Sequence, residues 1–265
     1  LRRAINEGEM VLHFQPKINV KTNVVDGVEA LVRWQHERHG LMLPDEFVPL
    51  AEHSGLIKPL TLWVLRESLK QCAAWRLAGL NLCVAVNLSA QGLMDMELPD
   101  TVAGLLAANE VPADLLILEI TESTIMMDKD RALRILTRLA DMGIRLSIDD
   151  FGTGYSSLAY LSKMPVKQLK IDKSFVLDMD TNKSNSVIVH ATIELGHNLG
   201  LEVVGEGVES AEVLKILGQL NCDSVQGYHL LRPMAGPAFD EWMQKAKERG
   251  EIRVEAGNLW LTPSA

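Results

Sequence analysis

Hydrophobic and polar positions alternate between two periods along most of the chain. Val11 to Phe14 is a short apolar-rich run followed by Gln15-Pro16, which predicts a first strand with a breaker at its end. Val24 to Trp34 carries seven apolar residues with Glu29 and Arg33 interspersed. Leu62, Leu65, Leu69 and Cys72 then fall at helical spacing, predicting an amphipathic helix over 58–78 that Gly79 closes. From there short apolar runs and helical patterns take turns. Runs at 82–86, 115–118, 143–148, 168–171, 202–205 and 223–225 read as strands. Patterns at 101–109, 132–139, 158–162, 187–199, 213–217 and 238–248 read as helices. A polar stretch over 249–265 is expected to be a loosely held tail after a single domain spanning 1–248.

Strands alternating with helices indicate a mostly parallel sheet. Polar residues close the strands at 87, 119, 149, 170, 206 and 226, scattered around the ~30 residues of one strand-helix-strand unit. About eight such units fit a (β/α)8 barrel. The competing arrangement, an open doubly wound sheet, gathers its site from two or three strands at one switch point. Here nearly every strand ends in a polar residue, which favours the barrel.

A barrel brings those ends to one face, so Glu29, Asn87, Glu119, Asp149, Asp150, Asp172 and Glu206 converge there with Lys170. Asp149 and Asp150 are the most telling pair. Adjacent carboxylates repel and are costly to desolvate unless a cation lies between them. Gly152 and Gly154 follow, permitting a sharp turn before a helix that Ser156 or Ser157 can start. Six carboxylates and one amide oxygen are hard donors suited to Mg²⁺ or Mn²⁺, and enough of them to hold two ions. Lys170 is either oriented toward a reacting water or a structural partner of Asp172. Arg33, four residues beyond Glu29, has the fork geometry to hold a phosphate. His36 and His39 have ligand-like spacing but lie in a charged loop and read as surface histidines.

The chain has 265 residues, 47% of them hydrophobic and 23% charged, as in ordinary globular proteins. Its net charge of −9 provides no basic field for a nucleic-acid polymer. Three unclustered cysteines, Cys72, Cys83 and Cys222, point to thiols in a reducing compartment, hence a cytoplasmic domain. No apolar run approaches the length of a membrane span, and no membrane contact by this segment is expected. The start at Leu1 suggests a piece of something longer.

Val28-Glu-Ala-Leu-Val-Arg-Trp34 resembles the defining segment of the EAL family of cyclic di-GMP phosphodiesterases. So do Leu12 to Pro16, Asn87-Leu-Ser89, Glu119-Ile-Thr-Glu122, Asp149 to Leu158, Lys170 to Phe175, Glu206-Gly-Val-Glu209 and Gln226-Gly-Tyr-His229. One triplet would be weak, but the ordered set is specific. The resemblance implies a TIM-like barrel whose first strand runs antiparallel to the others, and metal-dependent hydrolysis of cyclic di-GMP to linear pGpG. It further implies Glu29, Asn87, Glu119 and Asp149 as ligands of one ion, and Asp149, Asp150 and Glu206 as ligands of a second. Lys170 would stand beside the attacking water, with Glu29 in the same catalytic centre and Glu206 as ligand or general base. Gln15, Arg33, Asp172 and Gln226 would lie at the substrate. Glu122 would anchor the loop from Phe151 to Ser157, and Glu209 would support the ligands from behind. A homodimer paired after the Asp149 loop and an upstream sensory or cyclase domain are also implied.

Two readings compete with an active enzyme. One is a receptor module that binds cyclic di-GMP without turnover, disfavoured by the intact ligand set. The other is a barrel enzyme on a carboxylate substrate with Lys170 as base, against which the Asp149 loop and the nucleotide-sized substrate argue. If the donors hold Mg²⁺ or Mn²⁺, Ca²⁺ is expected to enter and inhibit.

Overall fold

The structure, a computed structural model, describes residues 1–154 and 158–262. Eight strands close a barrel: β1 (Met10–Asn19), β2 (Val24–His36), β3 (Cys83–Asn87), β4 (Leu116–Thr121), β5 (Arg145–Phe151), β6 (Gln168–Ile171), β7 (Glu202–Gly205) and β8 (Ser224–Val225). From β2 to β8 each strand pairs in parallel with the next. β1 closes the ring, antiparallel to both β2 and β8. This is the TIM-like barrel with one reversed strand. Around it lie helices α1 (Ile57–Leu77), α2 (Leu98–Ala108), α3 (Lys129–Asp141), α4 (Lys183–Asn198), α5 (Ala211–Gln219) and α6 (Gly236–Glu248).

Helix α3 shows how the sequence builds this outer layer. Ala132, Ile135, Leu136 and Leu139 recur on one face, and all four are buried. The Asp128 carboxylate accepts from the Arg131 amide and caps the first turn. Those residues join Leu118, Ile120, Leu146 and Ile148 in the main core between barrel and helices. The alternate residues of the same strands point into the barrel, and this alternation delivers the functional side chains to its interior.

Two expectations change. The first strand does not break at Gln15-Pro16 but runs on to Asn19. On its β8 side the pairings stop at Phe14, where a short strand at Met234–Ala235 meets it, and resume at Ile18. Pro16 falls in that gap, where a missing N–H is tolerated.

Within the expected tail of 249–265, the described residues 249–262 are not loosely held. Ile252–Glu255 (β9) and Asn258–Leu261 (β10) form a hairpin that adds to β2 through Leu259 opposite Val25 and Trp260 opposite Val24. Its turn places Ala256 and Gly257 at φ of 50° and 83°. A Cβ on Gly257 would stand 2.5 Å from the Asn81 side chain, so any other residue would displace Asn81 and strain the turn. Leu259 and Ile252 are buried beneath it. Leu259→Ala should therefore cost about 2–4 kcal/mol of stability, measured by urea unfolding. A cost under about 0.5 kcal/mol, the range of a surface substitution, would return these residues to the status of a tail.

Candidate active site

The carboxyl ends of the parallel strands converge on Lys170, which β6 carries on its inward face. Lys170 is 1% exposed, and its Nζ stands 2.7 Å from Glu206, 3.0 Å from Glu119, 3.1 Å from Asp149 and 3.5 Å from Glu29. One cation thus faces four carboxylates drawn from four different strands or strand exits. Amides hold Glu29 from either side. Asn87 Nδ2 donates to its Oε1 at 2.7 Å, and Gln226 Nε2 to its Oε2 at 2.7 Å. Gln226 Nε2 also lies 3.1 Å from Gln15 Oε1, while Gln15 Nε2 donates to the Leu231 carbonyl.

Asp149 and Asp150 are neighbours in sequence and would ordinarily point to opposite faces of a strand. The β5–β6 ladder slips at this point: Ile148 pairs with Leu169 but Phe151 pairs with Ile171. Asp149 and Asp150 together oppose Lys170 alone, which is a β-bulge. Asp150 takes a left-handed φ of 53° to make it, a conformation Asp tolerates better than most residues. Both carboxylates are thereby brought to Glu206, with one oxygen of each within 4.8 Å of the others.

Burial and mutual repulsion disturb the protonation of these groups. Burial raises Glu206 to about 8, Lys170 only partly opposing it. Burial and the Asp149 charge raise Asp150 to about 6. Glu119 is pushed well above the carboxylate range by burial and by three neighbouring acids. Burial also acts against Glu29, but Lys170, Gln226 and Asn87 outweigh it and hold its carboxyl below the usual value. For Lys170 burial favours the neutral amine, yet the surrounding carboxylates win and raise it.

This donor set fits divalent cations. All its members are oxygen donors, and the four carboxylates around Lys170 carry more negative charge than that one lysine balances. Glu29, Asn87, Glu119 and Asp149 could hold one ion, and Asp149, Asp150 and Glu206 another.

The other expected residues are placed less uniformly. Glu122 is buried at the start of a short helix, and the backbone of Gly154 comes so close that a Cβ there would lie 3.0 Å from its Oε1. Tyr155, Ser156 and Ser157, the rest of the loop it was expected to anchor, lie outside the described residues. Asp172 does not pair with Lys170; it caps the Lys173–Val176 turn through the Ser174 amide and faces Asp150. Arg33 is buried, donates to the Val32 carbonyl and faces Glu29, Asp45 and Tyr228, outside the acid cluster. Glu209 stands exposed on the rim rather than behind the ligands. The rings of His36 and His39 meet near the protein surface, and neither belongs to a metal-ligating group among the described residues. Cys72 and Cys222 are buried thiols, and Cys83 is partly buried.

A cleft of about 340 Å³ opens above the cluster, bounded by Gln15, Glu29, Asp149, Glu206 and Gln226. Lys173 and Tyr228 also line it, and the Arg232 guanidinium stacks on the Tyr228 ring at 4.5 Å. Neither was predicted, although Tyr228 lies in the Gln226-to-His229 segment and Lys173 in the Lys170-to-Phe175 segment.

A closed barrel with one reversed strand and a carboxylate-lined mouth defines a class of barrel whose acid cluster could hold a metal ion. The chain belongs to the EAL domain family, whose profile matches residues 1–233. It is 45% identical over 235 residues to the bifunctional diguanylate cyclase/cyclic di-GMP phosphodiesterase MucR of Pseudomonas aeruginosa, covering 88% of this chain and 34% of that protein. It is 41% identical to the cyclic di-GMP phosphodiesterase NbdA of the same organism, covering 92% of this chain and 31% of that one. The chain therefore spans about a third of the length of these relatives. Among solved structures, the PaMucR phosphodiesterase in its c-di-GMP complex superposes with a TM-score of 0.85 at 44% identity, over 88% of this chain and 95% of that one. The FimX EAL domain of Pseudomonas aeruginosa bound to c-di-GMP gives 0.81 at 27% identity, over 88% and 94%.

A cation held at Asp150 and Glu206 would have to displace protons from them. Both have folded-state pKa values above their ordinary ones, so between about pH 4 and 8 the folded protein holds more protons than the unfolded chain. Their contribution to metal-free stability accordingly falls as the pH rises through that window. Divalent cations should bind more tightly over the same rise. The increase in Tm on adding Mg²⁺ is expected to be larger at pH 8.5 than at pH 6, read by differential scanning fluorimetry. An equal increase at both would contradict the assignment.

Proposed function

We propose that this domain hydrolyses one phosphodiester of cyclic di-GMP, giving linear pGpG, with Mg²⁺ or Mn²⁺ bound at the acid cluster. The observation that carries the reading is the bulge at Asp149-Asp150, which aims two adjacent carboxylates at Glu206 beside Lys170. A nucleotide-binding receptor needs no such concentration of buried charge. Divalent cations held by Glu29, Asn87, Glu119, Asp149, Asp150 and Glu206 supply Lewis acidity and make water nucleophilic at neutral pH.

The chain's own groups divide the remaining work. Lys170, fixed by four carboxylates, presents a positive charge to the reacting water and to the phosphoryl oxygens. Glu206 can accept the proton of that water, and its raised affinity for protons suits a base working near neutral pH. Gln15 and Gln226 orient the substrate edge nearest Glu29, and Arg33 meets a phosphate or base further along β2. Asp172 restrains Asp150, and Glu122 packs against the backbone of Gly154. An adjoining cavity of about 620 Å³ shares Leu31 with the catalytic cleft and gives room for the second nucleotide.

The same proposal places the domain in the cytoplasm, in a longer signalling protein with a sensory or cyclase part. Its relatives include the oxygen sensor protein DosP of Escherichia coli, matched over 30% of its length. No helix among the described residues is long and apolar enough to cross a membrane. A second copy would pack on the exposed apolar side chains Leu177, Val187 and Ile188, which follow the Asp149 loop.

Incubation with cyclic di-GMP and Mg²⁺ should release pGpG, and Asp149→Asn should slow release at least a hundredfold, about 3 kcal/mol of barrier. Bound cyclic di-GMP without turnover in Mg²⁺ or Mn²⁺ would favour the receptor. Ca²⁺ offers longer, less polarising bonds than Mg²⁺. It is expected to occupy the site and inhibit, and turnover in Ca²⁺ alone near the Mg²⁺ rate would refute the two-cation scheme.

A further inference from the structure

Beneath the acid cluster part of the barrel interior is polar, alongside Ala85, Ile117 and Val204, where barrels of this architecture ordinarily stack branched aliphatic side chains throughout. Several site residues have a polar residue one inward position deeper on the same strand. Lys17 lies below Gln15, Ser147 below Asp149, and Gln168 below Lys170. Lys17, Ser147 and Gln168 are 4%, 0% and 2% exposed. Lys17 Nζ donates across the barrel to Gln168 Oε1 at 3.1 Å, and Ser147 Oγ reaches the same oxygen at 3.4 Å. One amide oxygen thus joins β1, β5 and β6.

The position of this tie matters more than its strength. Ser147 and Gln168 form the first ladder pair between β5 and β6, Ile148 and Leu169 the second, and the bulge begins directly after. Two backbone pairs specify a register weakly, and a slip of one residue would turn every side chain of the strand to the other face. A buried lysine is also expensive, and replacing such polar groups by apolar ones often leaves stability equal or higher. Lys17 therefore calls for a reason other than stability.

We infer that the Lys17–Gln168–Ser147 tie is a positioning device for the cation site: it fixes β5 against β6 and so sets the bulge that carries Asp149 and Asp150 to Glu206. The inference rests on the reading of those three carboxylates as cation ligands. None of the three tie residues lines the cleft or belongs to the Asp149–Asp150–Glu206 group.

The decisive variant is Lys17→Met/Gln168→Leu, which removes donor and acceptor together; the buried Asp26 carboxyl, whose proton affinity burial raises and Lys17 lowers, can then take up a proton instead of standing as an unpaired charge. Mn²⁺ binding is followed by the electron paramagnetic resonance of the free ion, without substrate, and metal-free Tm is recorded in parallel. The double variant should keep or raise Tm yet bind Mn²⁺ at least threefold more weakly. Gln168→Glu, which keeps an acceptor for Lys17, should stay within threefold of the parent. A double variant that folds and binds within threefold of the parent overturns the inference. If the double variant does not fold, Ser147→Ala decides: weakening of twofold or more supports the tie, and less overturns it. A parent protein that binds no Mn²⁺ overturns the cation site itself, a result distinct from equal binding by parent and variant.

Discussion

The ammonium of Lys170 at the barrel axis is the contact on which the rest of the site depends. Four carboxylates from separate strands cannot share a buried volume unless positive charge lies among them, because desolvation and mutual repulsion both act against ionisation. Lys170 supplies that charge from the floor of the cleft, and the amides of Asn87 and Gln226 satisfy the two oxygens of Glu29. The balance is incomplete. Glu119 and Glu206 are left with raised proton affinities, so the protein holds a site whose remaining negative charge suits a cation.

Secondary structure turns that electrostatic demand into geometry. Parallel strands send alternate side chains inward, so Glu29, Asn87, Glu119 and Lys170 need only regular backbone to converge. Asp150 needs more. It reaches the cluster through a left-handed residue in a slipped ladder, a local distortion maintained by the regular pairs below it. The polar floor under those pairs belongs to the same design, because it spends apolar packing on holding strands at fixed heights.

Most of the ring could be read from the chain because each strand is short and apolar, ends in a polar residue and is followed by a helical pattern. The reversed first strand left no periodic signature, since β1 and β2 alternate in the same way whichever direction they run; only the resemblance implied it. Pro16 misled because a proline is read as a strand end, whereas here it falls opposite a gap in pairing. The terminal hairpin was visible in the alternation of Ile252, Val254, Leu259 and Leu261 about Ala256-Gly257, but a polar composition hid it. Lys17 and Gln168 gave no signal, because a strand lysine normally faces solvent and nothing local shows that this one crosses a barrel. Asp172 was grouped with Lys170 on sequence proximity, yet it caps a turn and faces Asp150 instead.

The reversed strand also governs when a folding chain acquires its chemistry. β1 and β2 form a local hairpin, available as soon as the first few dozen residues exist. β1 reaches its other neighbour only after β8 has been made, and the Gln226–Glu29 bond spans 197 residues. Contacts so distant in sequence form late and slowly. A nascent or partly unfolded chain can therefore hold most of its helices and strands while Glu29 still lacks Gln226 and the mouth remains open. The appearance of the site reports ring closure itself, and a truncated or circularly permuted chain would reveal the order of assembly through it.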